Sequence, residues 1–122
     1  MYNPFRIHRV SFEHAFDGFI YAIRTQPNFR FHLLATIVAV LLGVYFSIST
    51  TEWLVLIFTV NMVLVAEMVN TSIESMVDLI TVERRVNAKT AKDVAAAMVL
   101  ISAVLAIIIG LVIFLPKILK VI

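Results

Sequence analysis

The stretch VAEMVNTSIESMVDLI, residues 65–80, puts a row of acids into a segment that is otherwise typical of a membrane helix. Its polar side chains recur at i, i+3, i+4, i+7 and i+11, and they are Glu67, Asn70, Thr71, Glu74 and Asp78. This spacing puts all five within an arc of about 100° on one face of an α-helix. An acid at the centre of a bilayer costs about 2.5–3.5 kcal/mol on insertion scales. Three acids on one face therefore predict a buried site that binds cations or moves protons.

The composition predicts a membrane protein. The chain has 122 residues, of which 61% are hydrophobic, and its mean hydropathy is +1.00. A soluble domain of this size cannot hide so much apolar surface. The absence of cysteine excludes disulfides and thiolate metal sites. The net charge of +2 gives no indication of a nucleic-acid partner.

The apolar runs predict three transmembrane helices in one domain, residues 1–122. A spanning helix needs about 20 residues, and uncharged runs of nineteen and twenty-three residues cover 33–51 and 94–116. With the acidic segment, they give spans at about 31–50, 53–80 and 91–115. The second span is about 28 residues, roughly 42 Å long, so its acidic end projects beyond a hydrocarbon core of about 30 Å.

The N-terminal part predicts an amphipathic helix on the membrane surface, at about 11–26, which Pro27 ends. Its apolar side chains recur at helical spacing, and they are Phe12, Phe16, Phe19, Ile20 and Ile23. Eight of the ten Lys and Arg residues precede the first span or lie between the second and third. The N-terminus and the acidic face are therefore expected on the cytoplasmic side.

The polar residues suit phosphate chemistry. Carboxylates and an amide are the ligands that Mg²⁺ prefers, and the segment AKTAKD at 88–93 adds two lysines that could balance polyphosphate charge. The known phosphate motifs GxxxxGK[ST] and GxGxxG are absent. The pattern alone leaves a structural polar seam, a small cation or proton transporter subunit and an inert assembly protein as alternatives.

Other residues have simpler interpretations. The three histidines, among them His14 and His32, are scattered and suit the membrane interface. Asn61 lies in the middle of the second span and is expected to bond across helices. Small residues at a spacing of four in the third span predict close helix packing, and they are Ala91 and Ala95, then Ser102, Ala106 and Gly110.

The segments EMVNTSIESMVDLI at 67–80 and AKD at 91–93 resemble the signature of the prokaryotic diacylglycerol kinase and undecaprenol kinase family. The resemblance extends to NFRFH at 28–32, TEW at 51–53 and IIGLVIFLPKI at 108–118. It implies an all-α membrane protein of the bacterial inner membrane, with three transmembrane helices and a surface helix. It also implies a helical-bundle homotrimer whose active sites are shared between protomers, and which moves the γ-phosphate of MgATP to a lipid hydroxyl.

The resemblance also implies roles for individual residues. Glu67 corresponds to the general base, Asn70 to a residue that supports it, and Glu74 to a metal ligand. Glu67 and Arg30 correspond to the lipid side of the site. The residues implied at the nucleotide are His14, Asp17, Glu74, Asp78, Glu83, Arg84, Arg85, Lys92 and Asp93.

Two positions depart from the family pattern. Gln26 stands where a second glutamate ligand is usual, and an amide oxygen can bind Mg²⁺ without contributing charge. Asp17 stands where a basic residue or Asn is common, and it could supply the missing acid. The segments NFRFH, TEW and IFLPK favour undecaprenol as the substrate, with diacylglycerol as the alternative.

Overall fold

A computed structural model describes residues 4–122 of the chain, with side chains from Ser11 onward. It contains four helices: α1 (Pro4–Thr25), α2 (Pro27–Tyr45), α3 (Thr50–Ile80) and α4 (Val86–Leu119), with no strand in this range. The last three are long and apolar enough to cross a membrane. The predicted all-helical fold with three spans is confirmed.

Several helix bounds differ from the predicted ones: α2 lies at Pro27–Tyr45 rather than about 31–50, α3 begins at Thr50 rather than near residue 53, and α4 ends at Leu119 rather than near residue 115. α1 begins at Pro4 rather than near residue 11, because proline suits the first turn of a helix. α4 begins at Val86 rather than near residue 91, after Arg85 in an extended conformation. The connection between α3 and α4 is therefore only five residues, 81–85, so these helices form a tight hairpin.

Local sequence signals fix the other helix ends. Gln26 alone separates α1 from α2, and its extended backbone is the one favoured before a proline, here Pro27 at the start of α2. α3 starts with a capping box: the Ser49 hydroxyl accepts from the Glu52 N–H at 3.2 Å, and the Glu52 carboxylate accepts from the Ser49 N–H at 2.8 Å.

The turn between α2 and α3 depends on a glycine. Ser47 adopts a positive φ of 49°, which reverses the chain, and Trp53 folds back against Gly43. A Cβ atom at position 43 would lie 2.6 Å from the Trp53 ring, so the close approach requires glycine there.

α3 and α4 form the main packing interface, and α2 packs against α3. The core of this bundle lies at the end away from the acidic face, around Leu56, Ile113 and Phe114. Glu52 and Lys117 join α3 to α4 beside it, with the Lys117 Nζ donating to Glu52 Oε1 at 2.5 Å.

The small residues of α4 pack closely only in part. Ala95 is 2% exposed, as close packing predicts. A Cβ at Gly110 would meet nothing within 4 Å, because this end of the small-residue face borders a groove.

α1 packs against α2 through aromatic rings. Phe29 is 1% exposed, and its ring meets the Phe19 ring edge-on at a centroid distance of 5.8 Å. These rings hold α1 at the end of the bundle that carries NFRFH, next to the acidic face of α3.

Candidate active site

The candidate site is built on the polar face of α3. Glu67 is only 2% exposed, and the Thr71 hydroxyl one turn later bonds to the Glu67 carbonyl at 3.0 Å. Asn70 donates from Nδ2 to Glu74 Oε1 at 3.2 Å. The helical spacing thus gives one carboxylate inside the bundle and an amide–carboxylate pair further along the same face.

Glu67 faces a histidine of α2. The Nε2 atom of His32 lies 3.3 Å from Glu67 Oε1, and the two side chains are 16% and 3% exposed. Glu67 Oε1 is buried and has no hydrogen-bond partner among the described residues, so the contact is close but not aligned. His32, which the sequence analysis assigns to the membrane interface, is partly buried in the structure and contacts this acid.

A second unpartnered oxygen lies on the same face. Asn70 Oδ1 is buried and accepts no hydrogen bond within the part of the chain that the structure describes. Amide and carboxylate oxygens are ligands that Mg²⁺ accepts, so Asn70 and Glu74 fit this ion. The described residues contain no group of three His, Asp or Glu side chains able to hold a metal, so further ligands would have to come from elsewhere.

The far end of the acidic face meets α4. The Lys92 ammonium donates to Asp78 Oδ1 at 2.6 Å across the two helices, and both side chains are exposed enough to reach a ligand. Lys89 pairs with Asp93 one turn apart on α4. An open depression of about 520 Å³ lies here, between the end of α3 and the start of α4.

The connection between the helices borders this depression. Arg85 bonds to Glu83 at 2.9 Å, while Arg84 is exposed. Basic and acidic side chains thus converge where a charged, water-soluble ligand has access.

The remaining predicted residues do not join the acids of α3. His14, Asp17 and Arg30 are exposed. Gln26 donates to the Thr25 hydroxyl at 3.2 Å. Within residues 11–122, none of these four forms a hydrogen bond or ion pair with an acid of α3.

An apolar groove of about 520 Å³ runs between α2, α3 and α4. His32 lies at one end of this groove and Phe114 at the other, with Ala106 and Gly110 forming part of its wall. The groove therefore runs from the apolar core at Phe114 to the imidazole that contacts Glu67.

His32 is the functional candidate that the sequence interpretation missed. The sequence carries no clear signal for it: the spacing puts His32 on one helix face with Phe29 and Thr36, but only the structure shows that Phe29 is buried and Thr36 half-buried. The partner of that face, Glu67, lies 35 positions away in the sequence, and only the packing of α2 on α3 reveals it.

Comparisons with known proteins identify the family of this chain. The family described as "Prokaryotic diacylglycerol kinase" matches residues 13–114. The chain is 42% identical over 107 residues to an undecaprenol kinase of Bacillus subtilis, covering 88% of this chain and 87% of that protein. It is 38% identical over 113 residues to a diacylglycerol kinase of Synechocystis, covering 91% of this chain and 64% of that protein. A diacylglycerol kinase of Pseudomonas aeruginosa is 31% identical over 80 residues, or 66% of this chain and 65% of that protein.

Proposed function

We propose, since this chain belongs to the prokaryotic diacylglycerol kinase family, that it transfers the γ-phosphate of MgATP to the hydroxyl of undecaprenol. Membership of the family makes it a membrane lipid kinase. The similarity to an undecaprenol kinase over nearly the full length of both proteins supports the choice of lipid.

The observation that carries the proposal is the buried carboxylate of Glu67. This acid lies beside His32, which lines one end of the apolar groove, so its carboxylate is positioned to accept a proton from an alcohol whose tail lies in that groove. In the proposed step, the lipid hydroxyl loses its proton to Glu67. Its oxygen forms a bond to the γ-phosphorus, the bond from that phosphorus to the bridging oxygen breaks, and ADP leaves.

The nucleotide would lie beyond Glu67, along the same face of α3. Glu74 and Asn70 would hold Mg²⁺, which usually takes one or two carboxylates together with phosphate oxygens. The ion supplies positive charge that offsets charge on the transferring phosphoryl group. Lys92, held at Asp78, is positioned for the phosphates. The loop residues Arg84 and Arg85 border the same depression and would bind there as well.

A homotrimer with shared sites would complete this arrangement. One chain leaves Asp17 and Gln26 away from Glu74, so a neighbouring copy is the proposed source of these groups. Asn61 supports association: it is exposed on α3, and the bond across helices that the sequence predicts for it is not formed within residues 11–122. A polar amide in a membrane span favours a protein partner over lipid.

Association can be tested without removing native cysteines, because the chain has none. An Asn61→Cys variant should form a disulfide-linked pair on mild oxidation, and light scattering should give a protein mass of three 13.7 kDa chains. A single-chain mass would reject the shared site.

The proposed topology puts the N-terminus and the site in the cytoplasm, where ATP is available. The support is the distribution of Lys and Arg: eight lie on that side, and two, Lys117 and Lys120, lie at the C-terminal end of α4. Protease cleavage in the 81–85 loop of inside-out vesicles, and not of intact cells, would test it.

The central test is phosphate transfer from labelled ATP by the purified protein in mixed micelles. Undecaprenol and diacylglycerol are supplied separately, at several Mg²⁺ concentrations, with Glu67→Gln as the inactive variant. We expect label in undecaprenol, and a Glu67→Gln protein that binds nucleotide but transfers nothing. Near-normal transfer by Glu67→Gln would show that Glu67 is not the base.

Diacylglycerol is the second candidate substrate, because two of the similar proteins are named diacylglycerol kinases. Preferential labelling of diacylglycerol in the same assay would favour it. Absence of label from both lipids would reject the kinase function of this chain.

A further inference from the structure

Among the side chains of residues 11–122, one ionisable group from another helix contacts Glu67. That side chain is His32 of α2, whose Nε2 lies 3.3 Å from Glu67 Oε1. Glu74, an acid on the same helix, is a second ionisable group whose charge affects Glu67. His32 is thus the candidate partner for the proposed base.

The contact is buried and lies beside the groove. The His32 side chain is 16% exposed and that of Glu67 is 3% exposed, so water competes little for either group. His32 also forms the end of the apolar groove together with Phe31. The imidazole therefore lies between the groove proposed for the lipid tail and the carboxylate proposed to take the proton.

A base works better when a third group holds it in one orientation, as in the nucleophile–base–orienter arrangements of hydrolases. A carboxylate has two oxygens, and a donor that fixes one of them leaves the other in a defined position. A hydrogen bond to the charged form also favours that form, and only the charged form accepts a proton. Within residues 11–122, Glu67 Oε1 accepts no hydrogen bond, and His32 Nε2 lies 3.3 Å from it.

We propose that His32 is a positioning residue for catalysis: its Nε2–H donates to Glu67 Oε1 and orients Oε2 toward the lipid hydroxyl. The 3.3 Å contact becomes an aligned hydrogen bond through a rotation of the imidazole when the lipid binds. Catalytic hydrogen bonds are often loose before substrate binding. This inference rests on the proposed kinase function and on Glu67 as its base.

Two variants of similar polarity test the reach of the donor. His32→Gln keeps an N–H near the position of Nε2, whereas His32→Asn carries its amide one bond short of that position. We expect His32→Asn to lower kcat about 30- to 100-fold with the KM for MgATP changed less than about threefold. His32→Gln should stay within about fivefold of the native kcat. Ile37→Ala, on an exposed part of α2 outside the groove, is the control and should match the native protein.

A second measurement separates positioning from a structural role. Fluorine next to the carbinol carbon makes the acceptor hydroxyl more acidic, so that it depends less on the base. The defect of His32→Asn should shrink at least about threefold with such an acceptor if His32 acts through Glu67. A histidine that only stabilises the helix contact would give the same defect with both acceptors.

The outcomes distinguish this inference from the proposed function. If the native protein labels no lipid, the kinase proposal fails. If it labels undecaprenol and Glu67→Gln is inactive, but His32→Asn keeps at least half of the native kcat, only the role of His32 is overturned. Equal losses in His32→Gln and His32→Asn, with no dependence on acceptor acidity, would overturn it as well.

Discussion

Lys92 allows a clear test of the nucleotide end of the site, because its expected contribution to nucleotide binding is larger than its expected contribution to stability. Its ammonium lies 2.6 Å from Asp78 Oδ1, but the two side chains are 40% and 56% exposed. An ion pair this exposed contributes at most about 1 kcal/mol to stability. For a protein of this size, that corresponds to a shift of less than about 5 °C in the melting temperature.

The expected functional effect is larger. A hydrogen bond between a lysine and a phosphate, both charged, contributes about 1.5–3 kcal/mol. Since 1.4 kcal/mol corresponds to about a tenfold change in an equilibrium, Lys92→Met should raise the KM for MgATP about 10- to 100-fold. Methionine keeps the length and the apolar stem of the side chain, so the variant removes mainly the charge.

The assay measures KM and kcat with labelled ATP at saturating lipid, alongside thermal unfolding of the same preparation. Lys120→Met is the matched control, since it removes one positive charge from the exposed C-terminal end of the chain. An unchanged KM in a folded Lys92→Met protein would refute the assignment. A fall of more than about 10 °C in its melting temperature would refute the small structural role.

Three further changes have defined outcomes. Gly43→Ala puts a Cβ 2.6 Å from the Trp53 ring, so it should lower the free energy of unfolding in detergent by about 1–3 kcal/mol. Gly18→Ala is the control: its Cβ would meet nothing within 4 Å, so the free energy of unfolding should stay the same or rise by up to about 1 kcal/mol. Ser49→Ala removes the side-chain half of the α3 capping box and should cost about 1 kcal/mol in the same measurement, whereas an unchanged stability would mean that the cap is not needed. Chelation of Mg²⁺ should abolish phosphate transfer but not shift the unfolding transition without ATP, because the amide and carboxylate on α3 already bond to each other; a large shift would show that the metal is part of the fold.

The fold is predictable because its signals are local in the sequence. Long uncharged runs define the spans, a proline after one extended residue separates α1 from α2, and a capping box starts α3. The start of α4 is less clear, because Lys89 and Lys92 interrupt the apolar run but are good helix formers. A hydropathy pattern therefore places the boundary at the membrane edge, whereas the helix continues beyond it.

The site is predictable only where its residues share one helix. Glu67, Asn70 and Glu74 follow from helical spacing along α3. His32 does not, because α2 is apolar nearly all round and its sequence marks no face toward the acid. The pairing of Lys92 with Asp78 likewise depends on the tightness of the α3–α4 hairpin. The parts of the site assigned to α1 stay predictions, since one chain does not bring them to α3.

The three spans differ in length, and the shortest one, α2, is the most sensitive to the thickness of the bilayer. α2 has 19 residues and is about 28 Å long, whereas α3 and α4 have 31 and 34 residues and reach about 46 and 51 Å. Long helices adapt to a thicker bilayer by tilting less, whereas α2 is too short to adapt in this way. The N-terminal end of α2 joins α1 through Gln26 alone, and the contact between Phe19 and Phe29 restrains this connection. A mismatch between α2 and the bilayer thickness would therefore displace α1 and His32. The geometry around Glu67 would then depend on the thickness of the membrane.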